Sequence, residues 1–171
     1  TSMEFISGYD PDNKWFMKDE EAAKAYKICV DIRKGKERMM MREFVPYECI
    51  YLIGSACSAG WDLSHAVPMN VDASNPYILT WEGGLNEGEL KFTCDKKSDW
   101  NGAWFLADKG GKNPTGEQER LPFVDKSDEW FKSQYLEIGV GDIDQKWQIP
   151  SAGTYSITLD QLNETISIVK K

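Results

Sequence analysis

The sequence predicts an all-β fold of the antiparallel sandwich class. Short apolar runs recur along the chain, separated by clusters of Gly, Pro, Asn and Asp, and no long segment carries a helical period. The run 89–94 alternates strictly, with Leu90, Phe92 and Cys94 on one face. Such alternation is typical of a half-buried strand, so these side chains are predicted to face the core and Lys91 the opposite side. Many short strands joined by turns favour a two-sheet sandwich.

The remaining elements follow from the same signals. Residues 101–128, centred on Lys109-Gly-Gly-Lys-Asn-Pro-Thr-Gly, have the composition of a long loop. Ile157 and Leu159 are predicted to share the core with Leu90 and Phe92. Further strands are predicted at residues 51–53, 77–81, 135–140, 146–149, 154–159 and 165–169.

Length and charge limit the classes of function. With 171 residues the chain is long enough for one core. The net charge of −8 disfavours a nucleic-acid partner, because such a partner requires a basic face. No segment resembles a signal peptide or a membrane span. The four cysteines lack CxxC spacing and there is one histidine, so neither a metal site nor a cofactor is predicted.

Two segments near the start of the chain are repeated near its end. The motif at residues 10–15, Asp-Pro-Asp-Asn-Lys-Trp, matches Asp-Ile-Asp-Gln-Lys-Trp at 142–147, and residues 26–31 match 155–160. Met39 and Met41 then fall near Ile168 and Lys170. This pattern predicts tandem domains. Residues 1–45 would be the C-terminal strands of a preceding similar domain, and 46–171 a complete one. A chance likeness of two hairpins is the alternative.

Enzymatic interpretations find little support. His65 has no nucleophile motif near it, and no G-x-S-x-G, H-E-x-x-H or Walker sequence occurs. Pairs of carboxylates are present at Asp10/Asp12, Asp142/Asp144 and Glu117/Glu119, and a glycosidase needs only two. The Asp-x-Asp pairs belong to the repeated turn, however, where a structural role or a weakly held cation is favoured over catalysis. No catalytic residue is therefore nominated.

Tryptophans in loops point instead to a carbohydrate site. Trp61 lies in a Gly-Trp-Asp loop, and Trp100 and Trp104 flank Asn101 in a polar loop. An indole ring offers a flat apolar face to a pyranose, and the Lys91 ammonium can donate to hydroxyls. The alternative is that each of these tryptophans closes the end of the core. Trp81 and Trp147 are assigned to the core or its rim, and the role of Trp130 stays open.

The sequence also resembles a known family. The motifs Tyr-Leu-Ile-Gly-Ser-Ala, Gly-Trp-Asp, Leu-Thr-Trp-Glu-Gly-Gly-Leu and Gly-Glu-Leu-Lys-Phe, with the closing Asp-x-Lys-Trp and Gly-x-Tyr-x-Ile-x-Leu-Asp, are similar to the repeated domains of SusE and SusF. These are surface lipoproteins of the Bacteroidetes starch-utilisation system. The resemblance implies an immunoglobulin-like sandwich of the carbohydrate-binding-module type on the extracellular face of the outer membrane. The signal peptide and lipid anchor would lie outside this chain.

The resemblance also implies partners and site residues. A polysaccharide or oligosaccharide, with starch-like α-glucan foremost, is the expected ligand, and other outer-membrane glycan-uptake proteins are candidate partners. Glycogen-binding modules of the AMP-activated kinase type share a Trp loop, a Tyr-Lys-Phe strand and a second Trp loop. Carried over by position, their binding set falls on Trp61, Lys91 and Trp100, with Asn101 and Trp104 adjacent. Two alternatives remain open: a structural spacer domain without ligand, and an accessory module of a glycoside hydrolase.

Overall fold

A computed structural model describes residues 17–128 and 144–171 and divides the chain into two compact units, Thr1–Val45 and Pro46–Lys171. In the first unit, the short helix α1 (Asp19–Ala22) precedes a hairpin of β1 (Tyr26–Asp31) and β2 (Arg38–Glu43). The predicted motif at 10–15, Trp130 and the predicted strand at 135–140 lie outside the described residues. No helix in the described ranges is long and apolar enough to span a membrane.

The second unit is an antiparallel sandwich of two sheets, which confirms the predicted fold class. Its strands are β3 (Tyr51–Ile53), β4 (Val67–Pro68), β5 (Asn70–Val71), β6 (Ile78–Leu85), β7 (Gly88–Thr93), β8 (Ala103–Phe105), β9 (Glu119–Arg120), β10 (Phe123–Asp125), β11 (Trp147–Ile149), β12 (Gly153–Asp160) and β13 (Thr165–Lys170), with a 3₁₀ helix at Leu63–His65. The first sheet has the order β10-β8-β7-β3-β4, with β11 also paired to β7. The second has the order β5-β6-β12-β13-β9.

The core forms where the apolar faces of the two sheets meet. Leu90 and Phe92 from the first sheet and Ile157 and Leu159 from the second are all buried in one hydrophobic cluster, as predicted. Cys94 is buried as well, and burial raises the pKa of its thiol. Trp147 is fully buried and Trp81 packs half-buried against the cluster, which confirms their assignment to the core and its rim.

Two predictions about the elements were wrong. The region 101–128 is not one loop, because it contains β8, β9 and β10, strands of only two or three residues that are too short to show a period. The strand predicted to end before Gly83 continues as β6 to Leu85. Its pairing with β12 runs through both glycines, with Gly83 opposite Tyr155 and Gly84 opposite Thr154. A long ladder thus outweighs the low strand propensity of a glycine pair.

Gly54 closes the turn after β3 and is predicted to tolerate no side chain. Its φ is +136°, and a Cβ there would lie 2.2 Å from the carbonyl oxygen of Glu89. Because that oxygen belongs to β7, the clash would push apart two paired strands. Gly54→Ala should therefore lower the free energy of unfolding by about 2 kcal/mol or more. Chemical denaturation measures the change.

Gly84→Ala is the matched control for this substitution. A Cβ at Gly84 would meet nothing within 4 Å. An equal loss of stability in both variants would contradict the steric explanation.

Candidate functional site

The candidate site lies on the outer face of the first sheet, which faces away from the core. Residues opposite each other in an antiparallel pair share a face. Phe92 pairs with Phe105 in the core, so the next pair, Thr93 and Trp104, faces outward. Lys91 alternates with Phe92 and therefore shares that outer face. The sequence placed Lys91 on the correct face.

That outer face is nevertheless buried, contrary to the expectation of a half-buried strand. Lys91 is 2% exposed, Thr93 is 0% exposed and Trp104 is 1% exposed. The cover consists of aromatic rings from two loops. The Trp100 ring stacks on the Trp104 ring with 5.6 Å between centroids and 5° between planes. The sheet is thus enclosed on both faces at this point.

Trp61 is presented by a tight loop after β3. The Gly54 amide donates to the Gly60 carbonyl at 2.7 Å and closes the loop just before the tryptophan. On the other side, the Asp62 carboxylate accepts a hydrogen bond from the Ser64 amide and caps the 3₁₀ helix. These constraints hold the Trp61 side chain outward, with 39% of its surface exposed.

Trp100 is held by the loop between β7 and β8. Its φ of 61° is left-handed, which is uncommon for a large side chain, so the surrounding loop must impose it. The carboxylate of Asp95 accepts hydrogen bonds from the amides of Lys97 and Ala103 and thereby ties the two ends of the loop together. Gly102 is required beside it, because a Cβ there would lie 2.1 Å from the Asp95 carboxylate.

The rings of Trp61 and Trp100 meet at an angle. Their centroids are 6.2 Å apart and their planes are inclined by 55°. Trp100 is half-buried. The two indoles therefore form a bent aromatic surface, which is called the aromatic platform below; Trp104 supports it from beneath.

A buried ammonium group lies under this platform. The Nζ of Lys91 is 4.0 Å from the ring centroid of Trp104, 5.1 Å from that of Trp100 and 5.8 Å from that of Trp61. Such distances are within the range of cation–π attraction. The same ammonium donates to Oδ1 of Asp144 at 2.5 Å. Burial lowers the pKa of Lys91, and the hydrogen bond to Asp144 opposes that shift only in part.

Asp144 connects this ammonium with a second one. Its Oδ2 accepts a hydrogen bond from Lys146 Nζ at 2.8 Å, and that Nζ lies 5.7 Å from the Trp61 ring centroid. Burial by itself would raise the pKa of Asp144, but the hydrogen bonds from Lys146 and Lys91 outweigh it and hold the pKa below its usual value. The carboxylate is therefore ionised at neutral pH.

Comparison with known proteins gives one structural likeness. The chain is similar to SusF from Bacteroides thetaiotaomicron, with 15% identity and a TM-score of 0.48. The likeness covers 78% of this chain and 27% of SusF. No family model matches the sequence, and no curated protein matches it. SusF is one of the two proteins whose repeated domains the sequence motifs resemble.

The structure brings the predicted site residues together, although they differ in exposure. Trp61, Lys91, Trp100 and Trp104 form one contact cluster, and Asn101 is exposed next to Trp100 in the chain. Sequence reasoning missed Asp144 and Lys146 because it assigned the Asp-x-Asp-x-Lys-Trp motif to a structural turn. The available signal was that this motif places an acid and a lysine immediately before a core tryptophan.

The ion pair of Lys91 and Asp144 is predicted to contribute more to the free energy of unfolding than a surface ion pair does. Asp144→Asn should lower the free energy of unfolding by roughly 1–3 kcal/mol. The loss is large because the buried Lys91 ammonium would be left without its countercharge. It should be smaller than for a fully buried ion pair, because the Asp144 carboxylate is partly exposed to solvent. A double-mutant cycle with Lys91→Met, measured by chemical denaturation, isolates the coupling. Additive effects of the two substitutions would contradict this account.

Acid should weaken the ion pair of Lys91 and Asp144. Because the pKa of Asp144 in the folded state lies below its usual value of 3.8, its contribution is present at neutral pH and is lost as the pH falls through the folded-state pKa. The unsubstituted chain should therefore lose more stability than Asp144→Asn does as the pH falls from about 5 to about 2. Thermal unfolding across this range measures the difference. Parallel pH profiles for the two proteins would count against the assignment.

Proposed function

We propose that unit Pro46–Lys171 is a non-catalytic module that binds polysaccharide, with an α-glucan as the favoured class. The 55° angle between Trp61 and Trp100 is the observation that carries this proposal. An indole face stacks on the C–H face of a pyranose. Successive glucose units of a helical α-glucan present their faces at an angle, whereas a flat β-linked glucan requires coplanar rings.

Of the polar groups around the platform, we expect some to support the tryptophan rings and others to donate hydrogen bonds to the glycan. The Lys91 ammonium is buried and already donates to Asp144, so in this proposal it supports the platform rather than contacting sugar hydroxyls. Lys146 retains 22% side-chain exposure beside Trp61, and Asn101 is exposed beside Trp100. These two side chains are the candidate donors to hydroxyl groups.

The proposed setting is the bacterial cell surface. The resemblance of the motifs to SusE and SusF domains supports a role in capturing glycan for uptake, in a lipoprotein of the outer membrane. A platform of two rings contributes only about 1–2 kcal/mol per ring, so a single module should bind weakly. Tandem modules would raise the overall avidity by local concentration.

Substitution of the platform tests the proposal directly. Trp61→Ala and Trp100→Ala should each reduce retention on amylose about tenfold, because each removes one stacking surface. Affinity electrophoresis in gels containing amylose or pullulan measures retention. Gels with cellulose derivatives or xylan should retain the unsubstituted chain less.

Trp81→Phe provides a matched control, since it alters a tryptophan on β6 in the opposite sheet. It should leave retention on amylose unchanged. Thermal unfolding of every variant separates lost binding from lost folding. If both platform variants stay folded and are retained as strongly as the original, the proposed site is wrong. If no glycan retains the unsubstituted chain, the alternative of a structural spacer domain is favoured.

A further inference from the structure

The hairpin of β1 and β2 repeats the hairpin of β12 and β13 in detail. In both, the paired residues of the first strand run from a tyrosine to an aspartate at the turn. Oδ1 of Asp31 accepts the Arg33 amide at 3.1 Å, and Oδ1 of Asp160 accepts the Leu162 amide at 3.0 Å. From the registers, the equivalent positions are Tyr26 and Tyr155, Ile28 and Ile157, Val30 and Leu159, Met39 and Ile166, Met41 and Ile168.

These equivalent positions differ sharply in burial. Ile28 is 60% exposed, Val30 is 52% exposed and Met41 is 40% exposed. Their counterparts Ile157, Leu159 and Ile168 are at most 2% exposed. One face of the first hairpin therefore has the composition of a sandwich core without the burial of one. Large apolar side chains clustered in this way indicate an interaction surface.

The second unit shows what covers such a face. There, Ile157 and Leu159 belong to one cluster with Leu52, Leu90 and Phe92 of the first sheet. Strand β12 is also paired on both edges, by β6 and by β13. In the described residues of the first unit, β1 pairs only with β2. Within residues 17–45 of the first unit, the hairpin therefore has neither a facing sheet nor an edge strand.

We infer that the face of Ile28, Val30 and Met41 is an intramolecular docking surface for the rest of a second sandwich domain. Its occupant is an upstream segment of the same polypeptide that supplies two parts. One is an apolar sheet face of the kind formed by β3, β7 and β8. The other is a strand that pairs with β1 as β6 pairs with β12. A second copy of this chain fits less well, because two facing hairpins would still leave each β1 without its edge strand.

The inference requires that the gene encode residues upstream of Thr1, and hydrogen exchange tests it by comparing the 171-residue chain with the longer polypeptide that includes them. In the shorter chain, amides of β1 and β2 should exchange about 100-fold or more faster than those of β12 and β13, because the hairpin has no cover. In the longer polypeptide, protection of the two hairpins should become similar. Equal exchange of β1 and β2 in both proteins overturns the inference, as does a gene with no upstream segment.

Substitution and mass measurements distinguish an upstream segment from a second copy of this chain as the occupant. Ile28→Asp should leave the melting temperature of the 171-residue chain unchanged but abolish protection of β1 in the longer polypeptide. Lys34→Asp in the exposed turn is the matched control and should not affect protection in either protein. If the 171-residue chain is a dimer by sedimentation and Ile28→Asp makes it a monomer, a second copy is the occupant and the inference is wrong. None of these outcomes depends on glycan binding.

Discussion

The burial of one ammonium group is the constraint on which the aromatic platform of this domain depends. An unpaired charge enclosed at the position of Lys91 would cost several kcal/mol. The structure offsets this cost with the carboxylate of Asp144 and with the faces of three indole rings. Each compensating group is thereby fixed in place. The geometry of Trp61 and Trp100 is therefore tied to the need to compensate the buried charge of Lys91.

Local sequence patterns were sufficient to predict the core, but they did not predict that the outer face of the first sheet is also covered. Strict alternation at Leu90 and Phe92 identified the inward face correctly because the period of a strand depends only on adjacent residues. Whether Lys91 on the other face meets water depends on Trp61 and Trp100, which two separate loops bring over it. The link between Lys91 and Asp144 joins residues 53 positions apart, and no local period records such a contact. Strands as short as β9 escape detection for a related reason, since two residues cannot display alternation.

The repeat illustrates another limit of sequence comparison. A constant offset placed Met39 and Met41 near Ile168 and Lys170. The strand registers of the two hairpins show instead that their equivalent positions are Ile166 and Ile168. The difference arises at the hairpin turn, which is two residues longer after Asp31 than after Asp160. Before the turn the offset is correct, and after it every position shifts by two. Because side chains alternate with a period of two, the apolar face is preserved, and a matching pattern alone could not reveal the shift.

Strand β7 exchanges partners along one edge, and this has a consequence for how the aromatic platform is assembled. Residues Gly88–Leu90 pair with β11, Phe92 and Thr93 pair with β8, and Lys91 stands at the junction. Asp144 precedes β11 by a few residues, so the same short segment extends the sheet and neutralises the buried charge. A folding intermediate in which this segment has not yet docked would lack the countercharge beneath its tryptophans. The aromatic platform and its countercharge are therefore expected to form together, in one cooperative step with the pairing of β11 to β7.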